Sequence, residues 1–209
     1  MTGRRIGRPP GVDGAGTRAI ILDEAERQFG AHGYAATTTR TIAEACGLTN
    51  AAVYHHFGGK AALYEAVSEH VYPPMLARFH DALTDVHTLR EQIRTVLEAS
   101  IQLNRRRPSL AGFVMGGPVE ARRHPELRPV VDHHFGQLSA LLAKLVDDAR
   151  STGELRSTPS TEVVVGMVQA VLHGFAHLAY QDRSADYHDE VVRAFEQLLD
   201  GRLLLGPTS

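Results

Sequence analysis

The chain has 209 residues, 43% hydrophobic and 22% charged, which is enough to bury a sizeable core and too apolar for a disordered polymer. A net charge of −2 argues against a wholesale nucleic-acid coat, and no apolar run approaches the roughly 20 residues of a membrane span. One cysteine, Cys46, excludes an internal disulfide framework and fits a reducing cytoplasm.

Residues 1–16 are rich in Gly, Pro and Arg and read as a flexible basic arm. Its arginines precede no apolar block, so a secretory signal is not expected. Thr17 is a candidate N-cap, and Ile21, Leu22, Ala25 and Phe29 repeat at helical spacing until Gly33 stops the helix. Thr38 or Thr39 caps a second helix with Ile42 inside and Gly47 at its end. Thr49 caps a third, closed near Phe57 by Gly58-Gly59. A fourth starts at Lys60 or Ala61, and Pro73-Pro74 predicts a kink or break between Val71 and Met75.

Further on, Leu89, Ile93, Val96, Leu97 and Ile101 mark a fifth helix that ends before Pro108. The glycine-rich patch 111–117 predicts at most a short helix. Val131, Phe135, Leu138, Leu142, Leu145 and Ala149 form an unbroken stripe closed by Gly153. Thr158 and Pro159 read as an N-cap and first helical position before a strongly apolar helix from Thr161 to Tyr180. The last helix runs from Tyr187 to Leu203. The fold class is all-α, with about nine helices and no credible strand pair.

Residues 36–64 carry the most chemistry. A helix-turn-helix needs small residues where its two helices meet, and Ala43 and Gly47 fill that need. Ile42, Leu48, Val53 and Phe57 supply an apolar seal. Thr49, Asn50 and Ala51 open the third helix with hydrogen-bonding and small side chains, as a major groove requires. Tyr54 and His55 can donate to phosphates, while Arg40 and Lys60 bracket the unit as positive clamps. Residues 1–60 hold seven basic against five acidic side chains, which places the polyanionic partner at this end.

In this order residues 17–64 resemble the DNA-binding domain of the TetR family of bacterial transcriptional regulators. The likeness rests on Phe29 and Gly33-Tyr34, on Thr39-Arg40 with Ile42-Ala43, and on Gly47-Leu48-Thr49. It continues through Val53-Tyr54, His56-Phe57, Lys60 and Leu63-Tyr64. The resemblance implies that Thr39, Arg40, Asn50, Ala51, Tyr54, His55 and Lys60 approach DNA. Where that family most often has Tyr, this chain has His55. In the arm, Gly7-Arg8-Pro9 is similar to an AT-hook core, which would lay Arg8 in an A·T-rich minor groove; a solvated tail is the other reading.

The same resemblance implies that residues 65–209 form a helical bundle for dimerisation and ligand binding. Independently, the last two helices carry more apolar surface than one packing face uses, as an intermolecular four-helix bundle would. A dimer matches a palindromic double-stranded operator with half-sites roughly 34 Å apart. Candidate lining residues for a small-molecule effector are Met75, Phe79, Leu97, Ile101, Phe113, Met115, Phe135, Leu138, Met167, Val171 and Phe175, with His173 and His177 as polar anchors. No metal site, cofactor, membrane contact or catalytic residue is expected. Gly-x-Ser-x-Gly, His-Glu-x-x-His and a phosphate loop after a strand are all missing. The expectation is a homodimeric, sequence-specific regulator, a repressor released from its operator by a small hydrophobic effector. The alternative is a ligand-independent or metal-responsive DNA binder.

Overall fold

The structure, a computed structural model, describes residues 14–156, 158–180, 185–200 and 202. Among them it is all-α: α1 (Gly14–Ala36), α2 (Thr39–Ala45), α3 (Asn50–Phe57), α4 (Lys60–Ala82) and α5 (Leu89–Arg106) come first. They are followed by α6 (Pro108–Arg123), a 3-10 turn at Pro125–Leu127, α7 (Arg128–Ser151), α8 (Thr161–Tyr180) and α9 (Ala185–Leu199).

The first three helices form a small head. Gly33 breaks α1 at φ 77°, a conformation only glycine adopts freely, and Thr37 Oγ1 secures the turn by donating to the Gly33 carbonyl at 2.8 Å. Thr38 and Thr41 then build a reciprocal capping box at the start of α2. Ile42 and Val53 are fully buried beneath the two short helices, and each such side chain contributes about 1.5–3 kcal/mol.

Two expectations about helices are corrected. Pro73 and Pro74 do not break α4; both lie on its exposed side, while Tyr72, Met75 and Leu76 are buried on the other. Carbonyls that lose their partners on the outer face are hydrated, so burial of the inner face carries the helix through. The glycine-rich patch likewise lies inside the sixteen-residue helix α6. Gly117 is buried within 3.4 Å of the Tyr72 hydroxyl and close to Phe135 and Val131, measured from where a Cβ would stand. Close packing thus recovers what weak helix propensity forfeits. A smaller correction falls at α8, whose first turn is capped by Ser160, with Val163 N donating to its hydroxyl at 3.4 Å, and not by Thr158.

An aromatic cluster joins head to body. Phe29 and Tyr34 of α1 pack against Tyr64 of α4, with ring centroids 5.1 and 5.5 Å apart, and Tyr64 meets Phe113 of α6 at 4.9 Å. Gly30 lies directly against the Ser109 carbonyl, where an added Cβ would stand 2.2 Å from the oxygen. Head and body therefore touch backbone to backbone.

Candidate nucleic-acid interface and effector cavity

Helix α3 is held at both ends by its own sequence. Thr49 Oγ1 accepts from Ala52 N at 3.2 Å, and Gly58, at φ 80°, closes the C-terminus by donating to the Tyr54 carbonyl at 2.7 Å. Val53 and Phe57 fasten one face to the core, with the Arg18 guanidinium 5.0 Å above the Phe57 ring. The opposite face presents Asn50, Ala51, Tyr54 and His55 to solvent, with Tyr54 at 50% exposure. Thr49 is exposed beside them. These five expected residues form one continuous surface, as positions i, i+1, i+4 and i+5 of a helix must.

Three other expected contacts fall differently. Arg40 is exposed on the outer face of α2, paired with Glu44 at 2.9 Å. Thr39 is only 7% exposed: with Ile42 and Ala43 it belongs to the i, i+3, i+4 stripe of α2 that faces the core, away from the exposed face of α3. Lys60 also departs from expectation. Its ammonium donates to the carbonyls of Tyr34 at 2.8 Å, Thr37 at 3.1 Å and Ala35 at 3.5 Å, and stands 4.2 Å from the Tyr34 ring centroid. It caps the negative end of α1 rather than reaching out as a phosphate clamp. Arg8 lies outside the described residues.

Gln28 was not singled out in the sequence, yet it fixes α2 against α1. Its amide donates to Glu24 at 2.7 Å and to the Thr41 carbonyl at 3.2 Å, and accepts from the Thr41 hydroxyl at 2.8 Å. A buried glutamine on an otherwise polar stretch of α1 carries no periodic signal of this role.

In the body, a cavity of about 40 Å³ opens between α4, α5, α6, α7 and α8. Met75, Phe79, Met115, Leu138 and His173 line it, as expected. The others occupy different places. Leu97 and Ile101 are buried in the core beyond its walls; Phe113 belongs to the aromatic junction; Phe175 packs edge-on against Phe195 at 5.7 Å. Phe135 stacks behind His173 at 5.9 Å, and half-buried Val171 lies outside the lining. Met167 is 56% exposed on the outer face of α8, and His177 is exposed near its end. Both follow from a periodicity that marks apolar positions without telling inner from outer face on a helix apolar nearly all round. Asn104, Ser100 and Gln169 complete the cavity's polar wall and escaped the sequence reading. Burial lowers the pKa of the His173 imidazole, which favours its neutral form, against a smaller opposing effect from its backbone hydrogen bond near Gln169.

Between head and cavity lies an ion pair between a buried carboxylate and a partly exposed arginine. Glu26 of α1 is 1% exposed; it accepts from the Arg107 guanidinium in a short contact and from Ser109 Oγ at 2.9 Å. Arg107 also reaches Asp23 at 3.3 Å, and Asp23 meets His70 of α4 at 3.1 Å. Burial raises the Glu26 pKa, with the Arg107 charge opposing. Arg107 is the single residue between α5 and α6. Leu103 and Asn104 on one side of it, and Leu110 and Ala111 on the other, line the cavity.

The chain is similar to known proteins over much of its length. Residues 21–67 match the pattern of bacterial regulatory proteins of the tetR family, and residues 89–204 match the C-terminal region of BetI-type transcriptional repressors. The chain is 21% identical to the HTH-type transcriptional regulator UidR of Escherichia coli K12, over 76% of this chain and 79% of that one. It is 25% identical to the nucleoid occlusion factor SlmA of Vibrio vulnificus, over 77% and 83%. A TetR-family transcriptional regulator from Agrobacterium tumefaciens shares the fold with a TM-score of 0.74 at 18% identity, covering 89% of this chain and 98% of that one.

Proposed function

Since the chain belongs to the tetR family of bacterial regulatory proteins and is a DNA-binding transcriptional regulator, we propose that it works as a homodimeric repressor released from a palindromic operator by a small apolar effector. Residues 17–64 read DNA in this scheme, and residues 65–209 dimerise and bind the effector in the cytoplasm. The observation that carries it is the exposed face of α3 (Asn50, Ala51, Tyr54, His55), on a helix capped at both ends and seated on a buried core. An exposed polar face so firmly held is what base-edge and phosphate contacts need.

Dimerisation is supported by apolar side chains left outside. Val163 and Met167 on α8, and Leu198 and Leu199 on α9, are 57%, 56%, 44% and 50% exposed. A second copy packing α8 and α9 against their counterparts would cover them. Effector control is supported by the position of the α5–α6 joint, which borders the cavity and grips the head through Arg107–Glu26 and Ser109–Gly30. At about 40 Å³ the cavity has room for about one water molecule. A ligand of ordinary size must push its walls apart, and moving the joint or α4 then shifts the head.

The test is a gel shift on a palindromic site recovered by mapping the genomic DNA the protein binds, with specific and scrambled competitor. Discrimination between competitors, lost in Met167→Glu together with the dimer on sedimentation, supports the proposal. Equal binding to both competitors points to a sequence-blind DNA binder, and full operator affinity in a monomeric Met167→Glu variant overturns the paired reader.

A further inference from the structure

Among the described residues, the cavity between α4 and α8 has no carboxylate, lysine or arginine in its lining. Met, Phe, Leu, Val and Ala side chains make up most of it, and its polar groups are Ser100, Asn104, Gln169 and His173. Gln169 is already engaged, donating to Ser139 Oγ at 2.8 Å, and the His173 ring lies flat against Phe135. Asn104 is different. It is 6% exposed and lines the cavity, and no side-chain hydrogen bond to another described residue holds its amide. A primary amide that faces a cavity, with donor and acceptor not committed to a neighbouring side chain, is open to a ligand that pairs with both.

An ion entering the same space would give up its hydration with no opposite charge among the described lining residues. An apolar body replaces contacts among Met75, Phe79, Leu110 and Leu138 at little loss. A head that both donates and accepts matches the carboxamide of Asn104 on both of its atoms.

We infer that the cavity selects an uncharged, mainly apolar small molecule with one hydrogen-bonding head, best a carboxamide, seated on Asn104, and rejects carboxylates and ammonium ions of the same shape. This rests on reading the cavity as the effector site. It also links recognition to response, because Asn104 lies one helical turn before Arg107, which holds Glu26 of the head.

Calorimetric titration of the full chain with hexanamide, hexanol, hexanoate and hexylammonium tests the selection. Hexanamide is expected to bind best, hexanol next, and the two ions at least about tenfold more weakly. Asn104→Leu should erase the preference of hexanamide over hexanol, and Asn104→Asp should reverse the order of hexanamide and hexylammonium. Hexanoate or hexylammonium binding the native chain as tightly as hexanamide overturns the inference while leaving an effector site in place. So does an unchanged preference in Asn104→Leu, which keeps the test decisive if Asn104→Asp does not fold. Binding of hexanamide that survives Ala111→Phe, a substitution that fills the cavity, or no binding by any of the four probes, overturns the effector reading itself.

Discussion

The head and the cavity hold their side chains by different means. Around α3, directed hydrogen bonds do the positioning: Thr49 and Gly58 at its ends, the Thr38–Thr41 box and Gln28 under α2, and Lys60 beneath α1. Around the cavity, shape alone positions Met75, Phe79, Leu138 and Leu172, and its polar groups stand at the margin of an apolar pack. Hydrogen bonds hold one geometry and resist deformation, whereas apolar contacts can slide past one another at little cost. In the function proposed above, a firmly held reading head sits on a deformable ligand-binding body, and Glu26–Arg107 with Gly30–Ser109 join the two.

Substitutions at that joint should have the largest effects. Gly30→Ala drives a methyl group against the Ser109 carbonyl, and we expect a loss of about 3 kcal/mol in denaturant unfolding. Gly116→Ala in α6, with open space around its Cβ position, should lose nothing. Equal effects at the two glycines would mean that head and body do not press together. Next comes Arg107→Ala, which strands the Glu26 carboxylate and should cost about 2 kcal/mol at neutral pH. The sign with pH follows from Glu26, whose carboxyl is already held above its ordinary 4.5 by burial. A raised carboxyl favours the folded state in acid, and that advantage is lost as pH rises through 4.5 toward the folded value. Without Arg107 the folded value rises further, so the deficit of the variant should open above about pH 4.5 and close below it. A deficit independent of pH would place the effect elsewhere.

Lys60 and Tyr54 separate holding from reading. Lys60→Met should lower stability by about 1–2 kcal/mol through three lost carbonyl contacts, with the salt dependence of DNA binding unchanged. Tyr54→Phe should leave the melting temperature alone and weaken operator binding about tenfold, the worth of one hydrogen bond to a charged phosphate. A fall in the salt slope for Lys60→Met would return that lysine to the DNA. The smallest change in stability, under about 0.5 kcal/mol, is expected for exposed Asn50→Ala. Its signature is relaxed discrimination between specific and scrambled competitor at nearly constant total binding.

Much of the head was legible because its determinants are local. Thr49, Gly58 and Gly33 act within one turn of themselves, and the Ile42–Val53–Phe57 spacing states the buried face directly. The burial of Thr39 and the carbonyl contacts of Lys60 were not legible, since family position marks a residue near DNA without showing which way its side chain turns. The cavity was half legible. Met75, Phe79, Met115, Leu138 and His173 were found, while Phe113 and Met167 went to the aromatic junction and the outer face. Asn104 was overlooked, because a lone asparagine at the end of an amphipathic helix looks like surface until α8 covers it.

By itself the sequence determined the helix order, the capped reading helix and its exposed Asn50–Tyr54 face, since helical periodicity and capping are written in neighbours three and four residues apart. Only the tertiary structure decided that α4 and α6 stay whole through their prolines and glycines, and that Lys60 turns inward. It also decided that Glu26 meets Arg107, eighty-one positions away, across the joint. Those outcomes depend on burial against distant helices, whose stabilisation exceeds the local preferences that a sequence displays.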